Sequence, residues 1–169
     1  MSTPLAFLPP DRPQKSSGEP YLKVYLNGQT AALIPMASAQ EVLVLPVQQL
    51  TPMPGMPACV LGLINRRSRV LWLIDLAHLL GLSPLEETVR QYNVVLIRVA
   101  DDPLALALWA VRHGVRFNPE DLQPVQGTVR SELRPYLQGM LLQDTEVLLV
   151  LDPAAIVRSP LLPGRESFS

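Results

Sequence analysis

The chain has 169 residues and a mass of 18.6 kDa, enough for one domain or for two very small ones sharing a core. Hydrophobic residues make up 48% and charged residues 17%, which argues for a folded body and against disorder of the whole chain. Fourteen Lys and Arg stand against fifteen Asp and Glu, a net charge of -1, so a strongly basic phosphate-gripping protein is not expected.

A single cysteine, Cys59, excludes an internal disulfide framework and a Cys-based zinc cage. Residues 1–19 hold Pro4, Pro9, Pro10 and Pro13 followed by Lys15, Ser16, Ser17 and Gly18, and read as a flexible leader. They carry no basic start with a long apolar run, so no secretory signal is expected. The apolar run Leu104 to Val111 is far shorter than the roughly 20 residues of a membrane helix. A folded part over 20–157, a frayed tail over 158–169 and a cytoplasmic location are the expectations.

Strand signals dominate that folded part. Leu22, Val24 and Leu26 alternate with Tyr21, Lys23 and Tyr25, the period that turns one face inward. Asn27-Gly28 then suits a tight hairpin turn, and Gln29 to Met36 returns. Further extended runs are Glu41–Leu45, Val70–Leu76, Tyr92–Val99, Leu104–Val111 and Thr145–Leu151. Helical signals are short: Leu76 to Leu82 capped by Asp75, a turn over Pro84 to Arg90, and a single turn at Pro119 to Leu122. Eighteen prolines between short apolar runs point to an all-β barrel or sandwich rather than a long-helix protein.

Chemistry-bearing motifs are scarce. No GxxxxGK[ST], GxGxxG, G-x-S-x-G or H-E-x-x-H pattern occurs. Asp75 and His78 share a helical spacing, but a strand-ending Asp that caps a helix explains Asp75 more simply than an acid–base pair. A small hydrolase using Asp75, His78 and Ser68 is the rival from another class. Arg66, Arg67 and Arg69 form the one basic cluster. It reads as a solvated turn, as a fork for a carboxylate, or, in a second rival reading, as an SH3-like nucleic-acid contact. Cys59, Trp72 and Trp109 read as packing residues.

The stretch Gly62-Leu63-Ile64-Asn65-Arg66-Arg67-Ser68-Arg69-Val70-Leu71-Trp72-Leu73-Ile74-Asp75-Leu76 resembles the G-x-I-N-L-R-G-x-V-x-P-V-I-D-L signature of CheW-like chemotaxis coupling proteins. Gln40-Glu41-Val42 resembles the family's V-x-E-V element, and Thr51 to Pro57 its P-x-P-G-x-P turn. Tyr136 to Met140 and Val147 to Asp152 resemble its closing strands. Departures are Arg66 and Ser68 in the turn, Trp72 where the family has Pro, and Trp109 at a usually acidic position.

The resemblance implies two SH3-like five-stranded β-barrel subdomains around a shared hydrophobic core. It also implies a non-catalytic adaptor, without cofactor or metal, that couples chemoreceptors of the methyl-accepting type to a CheA-type histidine kinase. The partners implied are the kinase's regulatory domain and the receptor's cytoplasmic tip, with no nucleic acid and no insertion into the membrane. Chemotaxis, phototaxis, type IV pilus motility and a non-motility signalling cluster all stay open as settings. By position, Arg67 takes the signature arginine and Glu41 the V-x-E-V glutamate, and the two are expected to form an ion pair beside a receptor-facing groove. Val42, Leu43 and Ile64 are candidates for the apolar part of that groove. Gly62, Asn65 and Asp75 are expected to be structural, setting a close backbone approach, the turn and the helix cap.

Overall fold

The computed structural model describes residues 18–86, 88–127 and 129–163. Ten strands run β1 (Glu19–Tyr25), β2 (Ala31–Pro35), β3 (Ala39–Pro46), β4 (Val60–Arg66), β5 (Arg69–Asp75), β6 (Gln91–Val99), β7 (Asp102–Leu108), β8 (Ala110–Phe117), β9 (Leu137–Gln143) and β10 (Glu146–Leu151). Two short helices, α1 (Leu76–Leu79) and α2 (Pro153–Val157), follow β5 and β10. The strands form two five-stranded sheets, ordered β8-β1-β2-β10-β9 and β3-β6-β7-β5-β4.

The second half of the chain repeats the first. Each half runs through two hairpins and ends in a helix, and the strand after its first hairpin leaves for the opposite sheet. Thus β3 pairs with β6, and β8 pairs with β1. The repeat extends to single residues. Val60 opposes Ile74 and Gly62 opposes Leu73, and at one constant offset Leu137 opposes Leu151 and Gly139 opposes Val150. Asp75 caps α1 by accepting from the His78 N–H, and Asp152 caps α2 by accepting from Ala154 and Ala155. The Asp75 N–H donates to the Cys59 carbonyl and that of Asp152 to the Tyr136 carbonyl, both at 2.8 Å.

Each sheet curls until its edges meet. In the second, Thr51 beyond β3 exchanges two hydrogen bonds with Leu63 of β4, at 2.8 and 2.9 Å. In the first, Gln123 beyond β8 exchanges two with Met140 of β9, both at 2.8 Å. Backbones come this close only because a glycine adjoins each bridge. A Cβ on Gly62 would lie 2.4 Å from the Thr51 carbonyl oxygen, and one on Gly139 2.6 Å from that of Gln123. Gly62 also sits at φ +151°, outside the range that L side chains favour.

Side chains divide between three apolar clusters. The largest lies between the sheets and takes Leu22, Val24 and Ile34 from the first, Ile74, Leu104 and Leu106 from the second, and Leu76 and Ile156 from the helices. Inside the second barrel sit Leu45, Ile64, Leu71, Leu73, Val94, Ala105 and Ala107. Inside the first sit Tyr21, Leu33, Leu148 and Val150. The Leu104 to Leu108 run is therefore apolar throughout for two reasons. Its leucines face the shared core, and its alanines fit a barrel interior with little room for more.

The all-β, two-barrel expectation holds. Some local readings change. The expected strand Leu104–Val111 is two strands: the chain breaks at Trp109 and passes from one sheet to the other. Residues 84–86 and 88–90 form no helix; the Leu85 N–H instead donates to the Asp75 carboxylate at 2.8 Å. The packed body also continues beyond 157. Leu162 is 1% exposed in the shared core, and the buried Ser159 hydroxyl meets the Tyr136 hydroxyl at 2.7 Å. Most of the expected leader, residues 1–17, lies outside the described residues.

Substituting either closing glycine forces carbonyl and side chain apart. Gly62→Ala and Gly139→Ala should each cost about 1–3 kcal/mol, read as a lower urea midpoint at unchanged slope. Unchanged midpoints in both variants would contradict this account of barrel closure.

Candidate functional site

The mouth of the second barrel carries the clearest concentration of charge on a concave surface. Residues of one strand face alternate sides, so the side chains that line the barrel can be counted outward along each strand. On β4 they are Ile64, buried at 2%, and then Arg66; on β3 they are Leu45, half-buried Leu43 and then Glu41. On β5, Leu73 and Leu71 lead to Arg69. The charged residues thus end their inward-facing rows where the barrel opens. There, Glu41, Arg66, Arg67, Arg69, Leu71 and Leu96 line a cavity of about 390 Å³.

Glu41 is held by two arginines. Arg66 grips it with both ends of its guanidinium: Nε donates to Oε1 at 3.2 Å, and Nη2 donates to Oε2. Arg67 adds one longer contact, Nη2 to Oε2 at 3.4 Å, and its side chain stays 75% exposed. Hydrogen bonds from Arg66, then Arg67, pull the Glu41 carboxyl down to about 2. A bidentate guanidinium–carboxylate pair has this geometry. Because β3 and β4 are the two edges of the sheet, the Glu41–Arg66 pair also staples the barrel shut.

The expected Glu41–Arg67 contact is present, but it is the lesser one. Motif position singled out Arg67, whereas the strand period picks Arg66, which shares the face of Ile64. The turn explains the division. Arg67 and Ser68 occupy φ +54° and +67°, the two positive angles of a type I′ hairpin turn, which carries the Arg67 side chain away from the barrel axis. Ser68 takes the second angle without the usual glycine.

The expected groove residues separate. Val42 faces outward, 51% exposed, beside exposed Val44 on the outer side of edge strand β3. Leu43 faces inward and packs on the barrel's cluster, and Ile64 is a core residue. Asn65 is exposed within β4 opposite Val70, one step before the turn rather than in it. Gly62 lies at the closing bridge and Asp75 under α1. Burial pushes the Asp75 carboxyl up, against the pull of the Leu85 and His78 N–H groups that it accepts from.

Several other residues fall out of any site. Ser68 and Asp75 lie at opposite ends of β5, about 20 Å apart at a strand's rise per residue, so Ser68, Asp75 and His78 do not assemble. Cys59 is buried, and that burial raises its thiol pKa. Trp72 packs against the shared core, as expected. Trp109 does not: half exposed, it meets the edge of Tyr25 with ring centroids 6.3 Å apart. Among the described residues no group of three or more His, Cys, Asp or Glu could hold a metal ion, and no helix is long and apolar enough to cross a membrane.

The model of the CheW-like domain matches residues 20–161. The chain belongs to the CheW-like family. It is 30% identical over 102 residues to "Chemotaxis protein CheW" of Rhizobium meliloti (strain 1021), covering 60% of this chain and 65% of that protein. It is 31% identical over 106 residues to "Probable chemotaxis protein CheW" of Rhizobium etli, covering 63% and 68%. For "Chemotaxis protein CheW" of Treponema pallidum the values are 28% over 109 residues, covering 63% and 64%. The chain thus spans just under two thirds of the first and third of these relatives. The structure of "scaffolding protein TtCheW" from Thermoanaerobacter tengcongensis superposes with a TM-score of 0.68 at 14% identity, over 80% of this chain and 89% of that one. The double-barrel architecture is therefore that of a CheW-like protein.

A carboxyl lowered by folding contributes stability above its unfolded-state pKa, near 4.3, and loses it as pH falls toward the folded value. For Glu41 that window lies between roughly 4.3 and about 2. A carbon-detected NMR titration should put its midpoint near the lower limit. Double-mutant cycles should give Glu41 a larger coupling to Arg66 than to Arg67. An ordinary midpoint near 4.3, or stronger coupling to Arg67, would contradict this assignment.

Proposed function

We propose that this chain is a non-catalytic signalling adaptor that couples the cytoplasmic tip of a transmembrane chemoreceptor to the regulatory domain of a CheA-type histidine kinase. The observation that carries this reading is the CheW-like match over residues 20–161, which takes in almost all of the packed double barrel. The names of its relatives, chemotaxis proteins and a scaffolding protein, point the same way. In this reading the protein works in the cytoplasm beside membrane-embedded receptors.

The architecture fits such a task physically. A body with one shared core between its barrels transmits position rather than absorbing it. Two partners docked on one rigid body bias each other's states by reciprocal linkage, and holding them together raises their effective concentration. No cofactor enters this account, since coupling needs surfaces rather than bond chemistry. We place the receptor-facing surface at the end of the second barrel, where exposed Val42 and Val44 on β3 adjoin the Glu41–Arg66–Arg67 cluster.

Calorimetric titration into the regulatory domain of a CheA-like kinase from the same organism tests the reading. Saturable one-to-one binding in the micromolar range is expected of a transient interface of modest area. Absence of binding to that domain would overturn the kinase half of the proposal.

A further inference from the structure

Among the described residues Asp75 and Ser159 lie buried, each 2% exposed, in an otherwise apolar and aromatic interior. Both fasten the segment that leaves the helix closing their half of the chain. The same Ser-Pro-Leu run follows each helix, as Ser83-Pro84-Leu85 and Ser159-Pro160-Leu161, yet the leucine N–H finds a different acceptor. The Leu161 N–H donates to the Ser159 hydroxyl at 3.2 Å, and that hydroxyl meets the Tyr136 hydroxyl at 2.7 Å. The Leu85 N–H donates instead to the Asp75 carboxylate at 2.8 Å. The repeat explains the difference. Cys59, which holds the place of Tyr136, has no hydroxyl to offer, and Ser83 is exposed.

An ionised carboxylate loses more than a hydroxyl when water is excluded. Among the described residues no salt bridge reaches Asp75, and its oxygens accept from the N–H groups of His78 and Leu85. Burial pushes its carboxyl up, against the pull of those N–H groups and of the His78 ring. The other titratable group beside it is the Cys59 thiol. On the segment itself Glu86 is exposed, and Glu132, from the loop before β9, lies against Gly81 and pairs with Arg130 at 3.7 Å.

We infer that residues 81–86 form a strap that opens and closes over Asp75, held more firmly when the carboxyl carries its proton than when it is ionised. A protonated carboxyl still accepts the Leu85 N–H through its carbonyl oxygen, whereas an ionised one is drawn to water. Opening admits that water. Because the buried site raises the carboxyl's affinity for its proton, loss of the proton favours the open form. The anchors give the strap its importance. Leu82 packs against the shared core and Leu85 against the interior of the second barrel, so opening loosens the edge of both. The equivalent segment beyond α2 is tied by neutral hydroxyls and has no such dependence.

Amide hydrogen exchange on the full chain, corrected for the intrinsic effect of pH, tests this across the Asp75 midpoint, itself read by carbon-detected NMR. As pH rises through that midpoint, protection at Leu82 and Leu85 should fall, by about tenfold for each pH unit by which the midpoint exceeds an ordinary value of about 3.9. Protection at Leu161 and Leu162 should stay constant. Asp75→Asn keeps a good helix cap and should remove the dependence at Leu85. Protection at Leu85 that is flat across the midpoint, or that rises with pH, would overturn the inference. An equal fall at Leu161 or throughout β6 and β7 would do the same, as would a dependence that survives in Asp75→Asn. Should that variant not fold, the wild-type profile decides alone.

Discussion

The apolar seam between two five-stranded sheets, each drawing strands from both halves of the chain, governs the rest of this molecule. Because β3 completes the sheet of β4 to β7 while β8 completes the sheet of β1, β2, β9 and β10, neither barrel can form from one half of the chain. The shared core of Leu22, Ile34, Ile74, Leu106 and their neighbours is then what joins the two barrels, since no strand pairs across the two sheets. Separation of the barrels would unpair no strand but would expose this whole apolar seam to water, which opposes the relative motion usual between domains. The adaptor proposed above needs this property, since a body that flexes between its two binding surfaces passes no bias from one to the other.

Within this frame the two halves keep the backbone and vary the charge. Gly62 and Gly139 admit the carbonyls that close each barrel, and Asp75 and Asp152 cap the helices that follow. These pairs recur because backbone geometry demands them at both places. The mouths have no such demand beyond keeping their edges together. The second ties its edge strands with a Glu41–Arg66 pair; at the first, the Lys23–Glu146 pair joins the interior strands β1 and β10 instead.

Much of this was legible in the sequence where local physics decides. Alternation over Tyr21 to Leu26 and the many proline-punctuated apolar runs point to short strands, and the described residues form ten. The CheW-like signature supplied the two barrels. Strand β8 stayed hidden because its exposed stretch Arg112-His113-Gly114 carries little hydrophobic signal, and because LALALWAV reads as one continuous run. Only pairing with β1 and β6's neighbour β7 shows that Trp109 divides it. The Ser159 to Leu162 segment looked like a tail for a similar reason. Its burial depends on Tyr136, which is remote in sequence. At the site, motif position favoured Arg67. The strand period, applied outward from Ile64, identifies Arg66 as the residue nearest Glu41.

In the proposed adaptor one body holds both partners at the same time. Sedimentation velocity on a mixture of this chain, the kinase regulatory domain and the receptor tip fragment addresses it directly. The account predicts a single faster species containing all three, in which neither partner displaces the other. Displacement of one partner by the other, with only binary complexes in solution, would contradict it.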